Sequence, residues 1–270
     1  MADLVEYTSQ GGIGAVTIRR PQARNALTWD AMQAFAAAIE RAHQDSELSA
    51  LIVTGEGVAF CAGGDLFELN AYPTRADGAR LSAIMASALD RLEALPCPTI
   101  AAMEGPALGG GAEIALACDF RVMGEGATFG MMHVRLGLTP AWGGGQRLLR
   151  AVGYARALEW LTVGRVLSAA EAWEIGLIQR ITRPGGAYDA AYGLAGSIAT
   201  NDRETVRSAK LVLQAGLRST PEEAMRTERN EFPTRWAAPA HLEASADFVA
   251  RRNHRPRRAD PLVKGSSPPR

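Results

Sequence analysis

An α/β layered architecture is expected from three features of this 270-residue chain. Short apolar, strand-like stretches at residues 14–19, 50–54, 99–103 and 119–123 alternate with segments whose apolar residues recur at helical spacing. Two of these stretches, 51–54 and 99–103, run into glycine-bearing turns followed by helix-compatible sequence. Beyond Gly143 the character changes to helical patterns almost without strands. With 47% hydrophobic residues, the chain can bury one substantial core and carry a smaller appended module.

In chain order, Trp29, Met32, Phe35 and Ile39 mark one face of the first helix, and the Thr28 hydroxyl is placed to accept from an orphan amide as its N-cap. After the strand at 51–54 comes AFCAGGDL, residues 59–66, in which Asp65 is placed to cap a helix starting after Gly64. Leu81, Ile84, Met85, Ala88, Leu92 and Leu95 repeat at helical spacing, and Pro96 and Pro98 end that helix before the strand at 99–103. Residues 112–117 form a further helix-compatible run. Gly143, Gly144 and Gly145 read either as a helix N-terminal turn or as a flexible loop. Ser168 and Glu171 have capping-box spacing with Gly176 as the stop, and Thr220, Pro221 and Glu223 repeat the device. The expected organisation is a core at residues 1–200, a helical region at 201–253 and a Pro-, Ser- and Gly-rich disordered tail at 254–270.

Charge and composition exclude several classes. Lys and Arg together number 29, as do Asp and Glu, so no global field draws the chain to nucleic acid or an anionic membrane. Basic residues do crowd the C-terminal end, from Arg251 and Arg252 to Arg270; they read as a solvated tail, or Arg251 and Arg252 meet an anionic ligand. Cys61, Cys97 and Cys118 form no CxxC pair and are odd in number, which argues against disulfides and zinc and for a reducing, cytoplasmic compartment. His43, His133, His241 and His254 make no HExxH pattern, so no metal is expected. The opening MADLVEYTS lacks the features of a secretory signal, and every apolar run is far shorter than the roughly 20 residues that cross a bilayer.

The segment that carries chemistry is residues 105–119, GPALGGGAEIALACD. Between Gly105 and Asp119 the one ionised side chain is Glu113. A strand precedes Gly109, Gly110 and Gly111 and a helix follows, an order that aims free backbone N–H groups outward at a helix N-terminus. Without side chains in the way, an oxygen can approach those amides closely. Alone, the triplet reads as a loose turn and Glu113 as a solvated helical residue, or the pair reads as an oxyanion hole with an acid or base one turn away. The parallel turn at AFCAGGDL strengthens the second reading, since two such strand ends side by side offer two amides to one oxygen.

Together, AFCAGGDL and ALGGGAEIALACD, with RPQARNAL at residues 20–27 and FGMMHVRLGLTPAWGGGQRL at 129–148, resemble the crotonase family, the enoyl-CoA hydratase/isomerase superfamily. The resemblance runs in colinear order from about the N-terminus to Ile178. It implies a crotonase-like ββα superhelical spiral core, with C-terminal helices that build a homotrimer or a dimer of trimers. An acyl-CoA thioester is the implied substrate, with no separate cofactor because CoA enters as part of the thioester. By position in the motifs, the amides of Gly64 and Gly110 would hold the thioester oxygen while an enolate forms, and preorganised donors favour that charged state over the neutral thioester. Glu113 matches the first of the family's two carboxylates.

The chain departs from the pattern at the second carboxylate, where counting along FGMMHVRLG places His133. An imidazole is a competent acid or base, and it is equally a residue that packs in the core between Met132 and Val134. Met131 and Met132 read as core residues that also floor an acyl pocket. The resemblance puts part of the CoA site near Ala62, Asp65 and Leu66, and Arg24 either contacts a CoA phosphate or is solvated. Hydration or isomerisation is the leading expectation. Decarboxylation of a malonyl-CoA-like substrate is the alternative that His133 keeps open, and an RNA-binding member of the fold is remote for a neutral chain. GIGAV at residues 12–16 lacks the full dinucleotide fingerprint, and no GxSxG elbow of a serine hydrolase is present.

Overall fold

The computed structural model describes residues 3–253, so the tail expected at 254–270 lies outside the described residues. The chain begins with an antiparallel hairpin of β1 (Val5–Gln10) and β2 (Ile13–Ile18), then runs through α1 (Trp29–Gln44), β3 (Ala50–Gly55), α2 (Leu66–Leu69) and α3 (Arg75–Glu93). Next come β4 (Thr99–Met103), β5 (Ala107–Leu108), α4 (Gly110–Ala117), β6 (Phe120–Gly124) and β7 (Thr128–Gly130). Two helices, α5 (Gly144–Val152) and α6 (Tyr154–Val163), precede β8 (Val166–Ser168), α7 (Ala169–Glu174) and β9 (Arg180–Thr182). Helices α8 (Ala187–Ala199), α9 (Arg203–Arg218), α10 (Pro221–Trp236) and α11 (Pro239–Asn253) follow.

One sheet has the order β1-β2-β3-β4-β6-β9, parallel throughout except for the opening hairpin, and a second has the order β5-β7-β8. Right-handed parallel connections require the intervening helices to cover the sheet, which is why β3 and β4 are buried on both sides and read as continuous apolar runs. The strand period divides their residues between two cores. Leu51, Val53, Ala101 and Met103 join the main core with α1, α3 and α4. Ala50, Ile52, Ile100 and Ala102 face the other way and pack with Ala187, Ala191 and Ala195 of α8, whose small side chains let the helix lie close to the sheet.

The capping signals hold. Thr28 accepts from Ala31 N, and capping boxes are present at Ser168/Glu171 and Thr220/Glu223. Bonds donated by Ser168 N, Ser168 Oγ and Arg165 Nη2 hold the Glu171 carboxyl down at about 2. Two expectations need correction. The helix read from Leu81 onward begins at Arg75, because a capping box of Thr74 and Asp77 starts it and its first turns are polar, outside the apolar stripe. Strand β1 was not expected; its burial decays from Val5 to an exposed end, so it lacks the apolar run that marks an interior strand.

Compactness divides the chain within α9, into a unit up to Leu211 and a second from Val212 onward. In the first, Lys210 is buried and donates from Nζ to Cys97 O at 2.9 Å and Asp119 Oδ2 at 2.7 Å. In the second, Trp236 lies with its ring 5.7 Å from Phe232 and 4.6 Å from His241. Among the described residues, no helix is long and apolar enough to cross a membrane.

Candidate active site

The two glycine turns meet. A parallel bridge pairs Cys61 with Ala107: Cys61 N donates to Pro106 O at 3.1 Å and Leu108 N to Cys61 O at 3.0 Å. The approach is close enough that a Cβ on Gly111 would lie 2.0 Å from Cys61 O, and one on Gly110 would lie 2.1 Å from the Trp142 ring. Contact between the turns and under the indole, rather than looseness, is the reason these positions are glycine. Behind the first turn, buried Asn25 ties the loop to the exit of β3. Its Nδ2 donates to Glu56 O and Ala59 O, while its Oδ1 accepts from Arg20 N.

Neighbouring amides are used internally. Leu27 N donates to Gly63 O, Asp65 N to Leu27 O, Gly109 N to Gly130 O and Glu113 N to Gly109 O. The N–H groups of Gly64 and Gly110 meet no protein acceptor among the described residues, and Gly110, as the first residue of α4, has none within its own helix. Both glycines border a cavity of about 490 Å³. Its wall is largely apolar, with Leu69, Leu81, Leu108, Leu138 and Trp142, and its polar groups include Glu113, His133 and Arg24.

Glu113 is 1% exposed, in the first turn of α4. Its two oxygens have different surroundings. Oε2 accepts from Trp142 N at 2.9 Å and Gly144 N at 2.8 Å, so the carboxylate sits on the N-terminus of α5, where free donors and the helix dipole favour an anion. Oε1 faces His133 Nε2 at 3.0 Å, with Ala141 N more distant at 3.4 Å. Oε2 is therefore held by two backbone amides, and Oε1 is the oxygen turned to His133.

His133 borders the cavity and stands outside the main apolar core. It opens a short 3-10 turn after β7, between a Met132 on the cavity wall and a Val134 that is 41% exposed, and its ring points at Glu113. Its Nδ1 is buried with no hydrogen-bond partner. The two methionines also separate: Met131 is buried in the main core, and Met132 borders the cavity. The β7 pleat sends consecutive side chains to opposite faces, and the pair continues that alternation.

Of the positions near the first turn, Ala62 and Leu66 border the cavity. Asp65 does not. Its Oδ1 accepts from Phe67 N at 3.2 Å as the N-cap of α2, and its Oδ2 pairs with Arg20 Nη2 at 3.0 Å. Arg24 borders the cavity from a left-handed backbone conformation, φ 51°. Cys61 is buried beneath the turn, and burial pushes its thiol up to about 12, which makes it an inert core residue and no nucleophile. Among the described residues, no three His, Cys, Asp or Glu side chains gather in metal-binding geometry.

Sequence reasoning missed the groups that hold Glu113, namely the amides of Ala141, Trp142 and Gly144. A signal for them existed. Gly143 to Gly145 open α5 as Gly109 to Gly111 open α4, but nothing in one dimension showed that the second glycine run would aim at the carboxylate of the first.

Comparison with known proteins agrees with this geometry. The family model for enoyl-CoA hydratase/isomerase matches residues 8–255. A probable enoyl-CoA hydratase of Rhizobium meliloti is 37% identical over 244 residues, covering 90% of this chain and 94% of the relative. An ethylmalonyl-CoA decarboxylase of Gallus gallus is 34% identical over 236 residues, 86% of this chain and 79% of the relative. The crystal structure of an enoyl-CoA hydratase from Bacillus anthracis superposes with a TM-score of 0.87 at 29% identity, covering 92% of this chain and 96% of that one. With the β-strand, glycine turn and helix repeated around a cavity that holds two free amides and a buried carboxylate, the chain belongs to the enoyl-CoA hydratase/isomerase family of acyl-CoA enzymes, with the crotonase fold.

Proposed function

We propose that the protein hydrates an enoyl-CoA thioester, with the Gly64 and Gly110 amides holding the thioester oxygen and the Glu113–His133 pair moving the proton. The observation that carries this reading is the asymmetric Glu113 carboxylate on the cavity wall, Oε2 fixed by two amides and Oε1 against His133 Nε2. In this reaction a water oxygen adds to Cβ and its proton passes to the pair. Negative charge develops on the thioester oxygen between the two amides, and the pair returns a proton to Cα. The cavity's leucines and Met132 suit the acyl chain, and Arg24, Ala62 and Leu66 are assigned to the CoA end, with Arg24 toward a phosphate. Asp65 serves that end through the cap of α2. No further cofactor is required, since CoA arrives with the substrate.

One observation favours a second reading within the same site. His133 occupies the place of a second carboxylate and is bonded directly to Glu113, and a relative of 34% identity is named for decarboxylation of ethylmalonyl-CoA. In that reaction the bond from Cα to the carboxylate breaks, its electron pair moves into an enolate held by the same amides, CO2 leaves, and the pair protonates Cα. The purified protein incubated with crotonyl-CoA, a 3-enoyl-CoA and ethylmalonyl-CoA, followed by mass spectrometry, separates the outcomes. Gain of water on crotonyl-CoA supports hydration; loss of CO2 from ethylmalonyl-CoA alone overturns it in favour of decarboxylation. An unchanged mass with a shifted double bond marks an isomerase.

The assembly is assigned as a homotrimer or dimer of trimers held by the C-terminal helices of residues 201–253. Supporting this are the apolar side chains these helices expose on the single chain, Leu213, Phe232, Trp236 and Phe248 among them. Residues 1–200 are assigned as the acyl-CoA-binding part. A cytoplasmic location is supported by the three unpaired, buried cysteines, and the neutral charge favours a small-molecule substrate over nucleic acid.

A further inference from the structure

The structure assigns to Arg147 a positioning role, in which it holds Trp142 so that one residue serves both Glu113 and Gly110; the role rests on the reading of Glu113 as the proton-handling group. Arg147 lies on α5, 5% exposed, and uses three different nitrogens in three directions. Nε donates to Glu93 Oε2 at 2.8 Å, Nη2 to Asp90 Oδ1 at 2.8 Å, and Nη1 to Trp142 O at 2.8 Å. The guanidinium thus joins two carboxylates of α3 to the backbone of Trp142. From the other side of the same residue, Trp142 N donates to Glu113 Oε2 at 2.9 Å. The indole of Trp142 covers Gly110, where a Cβ would fall 2.1 Å from the ring. Trp142 therefore touches the carboxylate through its amide and the oxyanion turn through its ring, and Arg147 fixes its carbonyl.

An independent feature agrees. Gly143 has φ 88°, and a Cβ there would lie 2.5 Å from Arg147 Nη1, so a side chain at 143 would both strain the backbone and displace the fork. A planar fork of fixed N–H directions meets these three acceptors, whereas a lysine ammonium supplies the charge without the geometry. The guanidinium touches neither the cavity nor Glu113, so its effect on the reaction passes through Trp142.

The test uses Arg147→Lys, Arg147→Met and Gly143→Ala, with Ile39→Ala, a buried apolar truncation on α1, as the control for lowered stability alone. Amide hydrogen exchange at Trp142 and Gly144 reads the clamp without any substrate, and kcat and KM on crotonyl-CoA read its consequence. Expected in both Arg147 variants and in Gly143→Ala is exchange at Trp142 at least ~10-fold faster than in wild type, with no rescue by lysine. The same variants should lose about 10-fold or more in kcat with KM within about twofold, the pattern of an interaction that matters in the transition state. Unchanged exchange at Trp142, full rescue by Arg147→Lys, or an equal loss of kcat in Ile39→Ala would each overturn the assignment. A wild type inert toward both crotonyl-CoA and ethylmalonyl-CoA would instead sink the reading of Glu113, while the exchange rates still decide whether Arg147 holds Trp142.

Discussion

Helix α4 connects two acid–base pairs that differ in burial, in partners and in what adjoins them. At its first turn, Glu113 meets His133 at 3.0 Å on the wall of a cavity, and the imidazole keeps a buried nitrogen without a partner. Just past its last turn, Asp119 Oδ2 accepts from Thr99 N at 2.7 Å, Thr99 Oγ1 at 2.9 Å and Lys210 Nζ at 2.7 Å, and Lys210 also donates to Cys97 O. Neither Asp119 nor Lys210 lines the cavity of the site. Arg121, whose guanidinium burial holds below its usual range, closes the same end by donating to Cys118 O at 2.7 Å and Leu177 O at 2.7 Å. The shared bonds make the Asp119 end a fastening, because a change in protonation or position would break several of them together. At the Glu113 end the carboxylate borders open volume with Oε1 turned to His133, the arrangement on which the proposed proton exchange with a ligand rests.

Substitution at the two ends should separate activity from stability, and the largest effect is expected at Glu113. Glu113→Gln keeps the shape and both amide bonds to Oε2 yet removes the base; turnover of the best thioester should fall by at least ~100-fold, with the melting temperature nearly unchanged. Full activity in this variant would end the catalytic reading of α4. His133→Ala sharpens the point. If the pair acts as a unit, crotonyl-CoA hydration should drop by a similar ~100-fold; if the imidazole only shapes the pocket, substrate preference changes and solvent deuterium still enters at Cα.

At the other end the signs reverse. Lys210→Met leaves Asp119 and the Cys97 carbonyl without their cation, and the expected loss is about 2 kcal/mol of stability. That is less than the about 3–5 kcal/mol of a fully buried pair, because the Asp119 side chain is 26% exposed. Denaturant unfolding measures the loss, and kcat per folded molecule should stay within about twofold of wild type. A large fall in kcat at unchanged stability would erase the distinction between the two ends.

The smallest effects are expected from the thiols. Burial pushes Cys61, beside the active turn, and Cys118, beside the Asp119 end, up to about 12, and Cys97 up to about 11. In the unfolded chain they titrate near the ordinary thiol value of 9.0. The unfolded state therefore binds fewer protons once pH passes about 9, and the stability these thiols contribute is present below that value and lost progressively as pH rises through about 11–12. A melting temperature that falls between about pH 9 and 11, less steeply in Cys97→Ala, checks the sign. A thiol reagent at pH 8 should find none of the three in the native protein and all of them after denaturation; labelling of native Cys61 would mean that the cavity reaches beneath the turn.

Much of the architecture was written in local patterns. Thr28, Ser168 and Thr220 announce helix starts because a capping hydroxyl acts within three residues, and Leu51 to Thr54 and Thr99 to Met103 read as interior strands because burial on both faces leaves no polar alternation. The start of α3 at Arg75 and the hairpin strand β1 were harder to read, since exposed polar turns and an edge strand carry no apolar signature. In the site, Glu113 stood out as the one ionised side chain between Gly105 and Asp119, while Gly64 and Gly110 were singled out by the resemblance of their motifs.

The motifs could name groups but could not say which of them meet. That His133 faces Glu113 rather than the core, that Met131 and Met132 part company, and that Asp65 pairs with Arg20 depend on contacts between segments distant in the chain. The same holds for Trp142 and Gly144, which deliver their amides to Glu113 across about thirty intervening residues. Backbone propensity acts over a turn or two and so is readable along the chain. Which donors surround each oxygen of Glu113 is decided across the fold, by sheet order, helix packing and close approaches such as the one that Gly110 allows beneath Trp142.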